Sequence, residues 1–293
     1  MRKTYLQLHL CVLLWGFTPI LGRMITLETL SLVWWRMLVV ALILIALPST
    51  RRMLRRMPWR LMATYAGIGA LLSVSWMFFY GAIRLSNASV GAISLAAAPI
   101  FLAFIEPITT GNPFNPRELL LGVILVPGMA MVMGGIPPEM YLGLAVGLGS
   151  ALFLAIFSAW NKRVAGRAEP RVATCIEMGA GALFLTLLAP WLPHQGDALQ
   201  IPGWHDAWLL GLLIIACTLV PFVMLMNILR KVSAFTTQMA TNLEPLYAIA
   251  LAIPLLGEQQ EVGLLFYLGV LLVVGSVALQ PVLVRQRLQQ PTA

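Results

Sequence analysis

Residues 82–88 read Ala-Ile-Arg-Leu-Ser-Asn-Ala, and a run of small residues follows to Pro99. Residues 228–234 read Ile-Leu-Arg-Lys-Val-Ser-Ala, and a polar-flecked run follows to Pro245. One ungapped shift of 146 residues, from Arg84 to Arg230, also aligns Ala88 with Ala234 and Pro99 with Pro245. In a chain of 293 residues that shift is half the length. Self-similarity on this scale predicts a second half built on the plan of the first.

The composition says what the halves are made of. Hydrophobic residues make up 60% of the chain and charged residues only 10%. Soluble domains carry about 25% charge, so a water-soluble enzyme is excluded, and disorder needs the opposite balance. The apolar residues fall into ten runs, at about 5–24, 29–48, 61–83, 88–108, 118–136, 140–161, 172–192, 207–228, 235–256 and 263–283. A helix of about 20 residues crosses roughly 30 Å of hydrocarbon. The first run is too long for a signal peptide and lacks a small-residue cleavage pattern, so it reads as a retained helix.

Lysines and arginines test this span count. With the N-terminus in the cytoplasm, 16 of the 19 basic residues fall on that side. They are Arg2 and Lys3, five arginines from Arg51 to Arg60, Arg117, four residues from Lys162 to Arg171, Arg230 with Lys231, and Arg285 with Arg287. Arg23 and Arg84 fall opposite, and Arg36 lies inside a run. This is the positive-inside pattern, so the net charge of +8 is topological and no nucleic-acid role follows from it. Five runs per half is an odd number, which inverts the second half relative to the first. The expectation is an all-α membrane protein of ten transmembrane helices, a 5+5 inverted repeat with both termini cytoplasmic. Residues 1–138 form the first five-helix repeat and 139–293 the second, within one membrane domain. Inverted repeats belong to carriers in which two halves exchange roles around a midplane site.

Chemistry is limited by what is missing. The sequence holds two aspartates, Asp197 and Asp206, and three histidines, His9, His194 and His205, at no metal-ligand spacing. No phosphate-binding G-x-x-x-x-G-K-[ST] loop occurs. No nucleophile stands beside a base on one helix face, so no catalytic residue, cofactor or metal is expected. Cys11, Cys175 and Cys217 lie in apolar runs and read as small core residues.

Leu-Trp-Gly-Phe at 14–17, and Leu-Gly-Glu at 256–258 followed by Val-Gly-Leu-Leu-Phe-Tyr-Leu-Gly-Val-Leu-Leu-Val-Val-Gly-Ser, join the ten spans and the repeat. Together they resemble the EamA family of the drug/metabolite transporter superfamily over essentially the whole chain. The resemblance implies small-solute movement across the bacterial inner membrane, often amino-acid or metabolite export. It also implies a central cavity lined mainly by spans 1–4 and 6–9. The first half departs from the pattern, with Phe-Ile-Glu-Pro at 104–107 where a Leu-Gly-Glu is usual.

Charges inside the bilayer cost at least about 2.5–3.5 kcal/mol each and are site candidates by default. Four occur: Arg36, Glu106, Glu177 and Glu244. The guanidinium of Arg36 suits a carboxylate or phosphate in a two-pronged grip. The alternatives are snorkelling to the surface or an internal salt bridge. Glu244 lies near the midplane of span 9 and shares a face with Thr237 and Thr241, beside Gln238, Asn242 and Pro245. Glu177 aligns with Arg36 at an offset of 141, since Cys-Ile-Glu-Met matches Trp-Trp-Arg-Met. A charge pair at the repeat interface is one reading. Glu106 reads as interfacial. Trp15, Trp76 and Tyr80 are the aromatic candidates for cavity walls, where ring faces attract an ammonium. Pro19, Pro99 and Pro245 each remove a backbone bond within a span and are hinge candidates.

One cation, one carboxylate and aromatic walls suit a zwitterion. The expectation is a secondary active transporter of small polar metabolites, most plausibly amino acids, working by alternating access and exporting its solute. Arg36 holds the anionic group. Gln238, Thr241 and Asn242 give polar contacts, with Trp76, Tyr80 and Trp15 as walls. Glu244 or Glu177 carries a coupling proton or gates. The partners expected are the solute, protons and the lipid bilayer, with the protein a monomer or weak homodimer. The alternatives are a channel-like facilitator, which lacks trans-acceleration, an intramembrane enzyme, and a subunit of a larger membrane assembly.

Overall fold

The structure is a computed structural model that describes residues 2–110, 116–164, 166–192, 199–221, 224 and 243–285. Among these residues every regular element is helical. The helices are α1 (Arg2–Met24), α2 (Thr29–Ala46), α3 (Pro48–Leu54), α4 (Trp59–Leu85), α5 (Ala88–Leu95) and α6 (Ala98–Thr110). Then come α7 (Pro116–Gly134), α8 (Tyr141–Arg163), α9 (Pro170–Leu188), α10 (Trp204–Ile214), α11 (Glu244–Leu256) and α12 (Leu264–Arg285). Six stretches are long and apolar enough to cross a membrane: 6–24, 29–46, 59–85, 88–109, 138–163 and 170–191. Four shorter apolar stretches, 125–134, 204–219, 244–256 and 264–276, accompany them.

Three features differ from the uniform spans read in the sequence. The fourth span is two helices, because the ring of Pro99 clashes with the carbonyl four residues back, and α5 ends there, at Leu95. The break is bridged by short-range bonds from Ala96 N to Ile93 O and from Ala97 N to Ser94 O. Pro99 is therefore the second residue of α6, and Pro245 is the second residue of α11. Pro19, by contrast, lies inside α1, which runs on through it to Met24. The loop after the second span contains α3, started by Pro48 at a position where a missing N–H costs nothing. The eighth span widens into a π-helix over Ile215–Leu219. Pro221 follows and has no N–H to offer the ladder. The first part of the ninth span, residues 235–242, lies outside the described residues.

Without a hydrophobic drive between helices in lipid, close approach comes from small residues. A side chain on Gly69 of α4 would meet the Glu177 carbonyl of α9 at 2.1 Å. The α7–α12 contact is reciprocal. Gly128 sits under Val273, and Gly269 sits under Val132. The two contacts run in opposite order along the helices, so α7 and α12 are antiparallel. Ser75 of α4 and Ser150 of α8 exchange hydroxyl-to-carbonyl bonds of 3.0 and 2.8 Å. The helix contacts also come in corresponding sets: α6 packs on α8 as α11 packs on α1, and α4 packs on α9 as α10 packs on α2.

Candidate functional site

Arg36 is 4% exposed on α2, so it does not snorkel to the surface. Its Nε donates to Thr218 Oγ1 at 3.1 Å, and its Nη1 donates to the Tyr80 hydroxyl at 2.7 Å. Its Cζ lies 3.9 Å from the centroid of the Trp76 ring and 6.0 Å from that of Tyr80. Trp76 and Tyr80 are one helical turn apart on α4, so a single face supplies both. An internal salt bridge is not what holds Arg36. Among the described residues no carboxylate is in ion-pair contact with it.

Thr218 is the partner that the sequence reading missed. It lies in the π segment, where its hydroxyl donates to Leu213 O, five residues back, at 3.0 Å. The same oxygen accepts from Arg36. The widened turn therefore aims this hydroxyl at the guanidinium, and π segments recur at functional sites. The one signal for it in the sequence is a threonine three residues before Pro221 inside an apolar run. Cys217 beside it is buried.

Glu244 opens α11 and interacts electrostatically with Arg36 without touching it. Tyr247, one turn on, reaches α1, where its hydroxyl lies 3.1 Å from His9 Nδ1. The other polar residues proposed for this wall, Gln238, Thr241 and Asn242, lie outside the described residues. Trp15 is half-buried on α1.

Glu177 is not brought to Arg36, which corrects the charge-pair reading. It is 6% exposed, and its backbone carbonyl is pressed against Gly69 of α4. Its Oε1 has no hydrogen-bond partner. Arg171, at the start of the same helix, pairs with Glu169. Glu106 pairs with Lys162 at the ends of α6 and α8, as an interfacial carboxylate would. Trp34 and Trp35 spend their indole N–H groups inside the protein, on Thr186 Oγ1 at 2.7 Å and Gln200 O at 2.8 Å.

Glu258, the acid of the Leu-Gly-Glu motif, gets a definite job. It is 2% exposed. It accepts from Ala88 N at 2.8 Å, Ser89 N at 2.9 Å and Ser89 Oγ at 2.6 Å. Asn87 Oδ1 takes Val90 N at 2.9 Å, and Asn87 Nδ2 donates to Glu261. The first three N–H groups of α5 are thus all satisfied, two of them by a carboxylate from a distant loop.

An apolar helical bundle with a buried guanidinium at its heart defines a multi-pass membrane protein. Family comparison makes this specific: the EamA-like transporter family matches residues 2–134 and again residues 141–280. The chain belongs to that family, membrane transporters of the drug/metabolite type. No functionally curated protein matches it in sequence. A crystal structure of a protein of unstated function superposes with a TM-score of 0.64, covering 99% of this chain and 100% of its own, at 17% identity. That likeness concerns the fold alone.

Proposed function

We propose that this chain is a secondary active transporter that moves amino acids or related zwitterions, in the export direction, across a bacterial inner membrane. Arg36 carries the reading. Its described hydrogen bonds go to neutral hydroxyls, and an aromatic face backs it. A cation held this way keeps its full charge for an anionic group, and its planar fork matches a carboxylate. Glu244 opposite supplies the complementary charge for an ammonium, and Trp76 and Tyr80 form the wall.

The architecture proposed is ten spans in a 5+5 inverted repeat, with residues 1–138 and 139–293 as the halves and both termini cytoplasmic. The two family matches, the antiparallel reciprocity of α7 and α12, and the matched helix starts at Ala98 and Glu244 support it. Alternating access then exchanges the halves around Arg36, with Glu244 or Glu177 as the proton carrier and Pro99 and Pro245 at the helix breaks.

The test is counterflow in proteoliposomes holding only this chain, preloaded with pooled amino acids. A labelled trace accumulates with the natural protein. Two charge-assisted bonds of about 1.5 kcal/mol each correspond to about a hundredfold, so Arg36→Ala should lose about that much uptake while its elution on size exclusion stays unchanged. Full uptake by that variant overturns the assignment.

A further inference from the structure

The short helix α3 and the residues after it carry a feature independent of the transported solute. Arg51, Arg52, Arg55, Arg56 and Arg60 fall within ten residues, and no Asp or Glu occurs between Glu28 and Glu106. All five are exposed. Among the described residues none forms an ion pair. Pro48, Arg51, Arg52, Arg55 and Arg56 line an open cleft of about 340 Å³.

The cleft has a frame. α3 packs on α2 and α9 and buries Thr50 to 1% exposure. Arg51 Nε donates to Ile45 O at 2.6 Å, which fixes the cleft to the last turn of α2. It lies between the ends of two membrane-crossing helices, α2 and α4, at the boundary of the apolar layer. Leu47, Met53 and Trp59 beside it are exposed. Trp59 is the residue type found at headgroup level. The arginines therefore face a depth where phosphate esters of lipids are the abundant anions.

We propose that this cleft binds the phosphate of an anionic phospholipid headgroup, with Arg51 and Arg55 as the main ligands and Leu47, Met53 and Trp59 against the glycerol and upper acyl chains. Guanidinium forks suit phosphate oxygens, and basic pockets between membrane helices are sites of this kind. A bare positive-inside signal asks only for charge. A lipid site asks also for the fork and the apolar border.

Native mass spectrometry of the delipidated full-length protein tests this, with phosphatidylglycerol and phosphatidylcholine as paired probes. Phosphatidylglycerol should be retained about tenfold over phosphatidylcholine. Each arginine near a surface contributes about a fivefold factor, so Arg51→Gln with Arg55→Gln should weaken retention about 25-fold. Arg51→Lys with Arg55→Lys keeps every charge, and so keeps insertion. It should still lose affinity several-fold through loss of the fork. Equal retention of the two lipids overturns the proposal, as does retention unchanged in the glutamine variant. Displacement by equimolar inorganic diphosphate also overturns it, by showing a soluble anion site.

Discussion

Arg36 on α2 and Glu177 on α9 stand at matched places in the two halves, each followed by a buried methionine, Met37 and Met178. Their surroundings are opposite in kind. Arg36 sits among hydroxyls and a ring that polarise toward it and that a ligand can rearrange. Glu177 sits where α4 presses on α9 so closely that Gly69 has no room for a side chain, and one of its oxygens goes unpartnered. A buried cation with soft, neutral neighbours is suited to receiving an anion. A buried carboxyl wedged between backbones is suited to holding a proton and not to receiving a solute. On the proposed reading, the repeat keeps one backbone position and gives it two tasks.

Breaking the comparison starts with the cation. Arg36→Met keeps bulk but removes the fork, and the affinity for a carboxylate solute in proteoliposomes should fall about a hundredfold. Arg36→Lys should recover part of it. The next largest effect is mechanical. Gly69→Ala forces α4 and α9 apart and should cost about 1–3 kcal/mol, seen as a lower melting temperature with α9 loosened in hydrogen exchange. Thr218→Val removes the acceptor of Arg36 and the π-turn bond together. It should raise the apparent solute KM about tenfold, because about one net charge-assisted bond is lost. Smallest is Glu177→Gln, which should leave KM within about twofold, since no solute contact is lost. Its effect should appear in the pH dependence of flux, which the glutamine flattens. A tenfold rise in KM there would place Glu177 in the solute site and erase the contrast.

The six membrane-length helices and four shorter apolar ones are legible in the sequence because hydropathy is summed over some 20 residues, and local irregularity averages out. The same averaging hid the irregularities. The break at Ala96–Ala97 follows from Pro99 acting on a carbonyl four residues back, and the π turn stands just before Pro221, which lacks an N–H; each is a signal of one residue in a span. Arg36, Glu177 and Glu244 were legible as charges in apolar runs, and Trp76 and Tyr80 as aromatics on a neighbouring span. That Trp76 and Tyr80 close on Arg36, while Glu177 is pressed against Gly69, depends on how α2, α4 and α9 pack, which no spacing within one helix encodes. Thr218 was invisible for a related reason: a threonine in an apolar run is unremarkable until its helix widens. Glu258 was noticed as part of a motif, but its partners are about 170 residues upstream.

That separation has a consequence in time. Ala88 and Ser89 leave the ribosome 170 and 169 residues ahead of the carboxylate that completes their helix. At roughly 5–20 residues per second, α5 waits on the order of 10–30 s with its first amide groups unclaimed. During that interval the nascent first half carries an unfinished helix end. The last loop made, between α11 and α12, is what closes it. A chain truncated before Glu258 should therefore reach the membrane with α5 still frayed, which gives the cell's proteases a way to tell a finished molecule from an interrupted one.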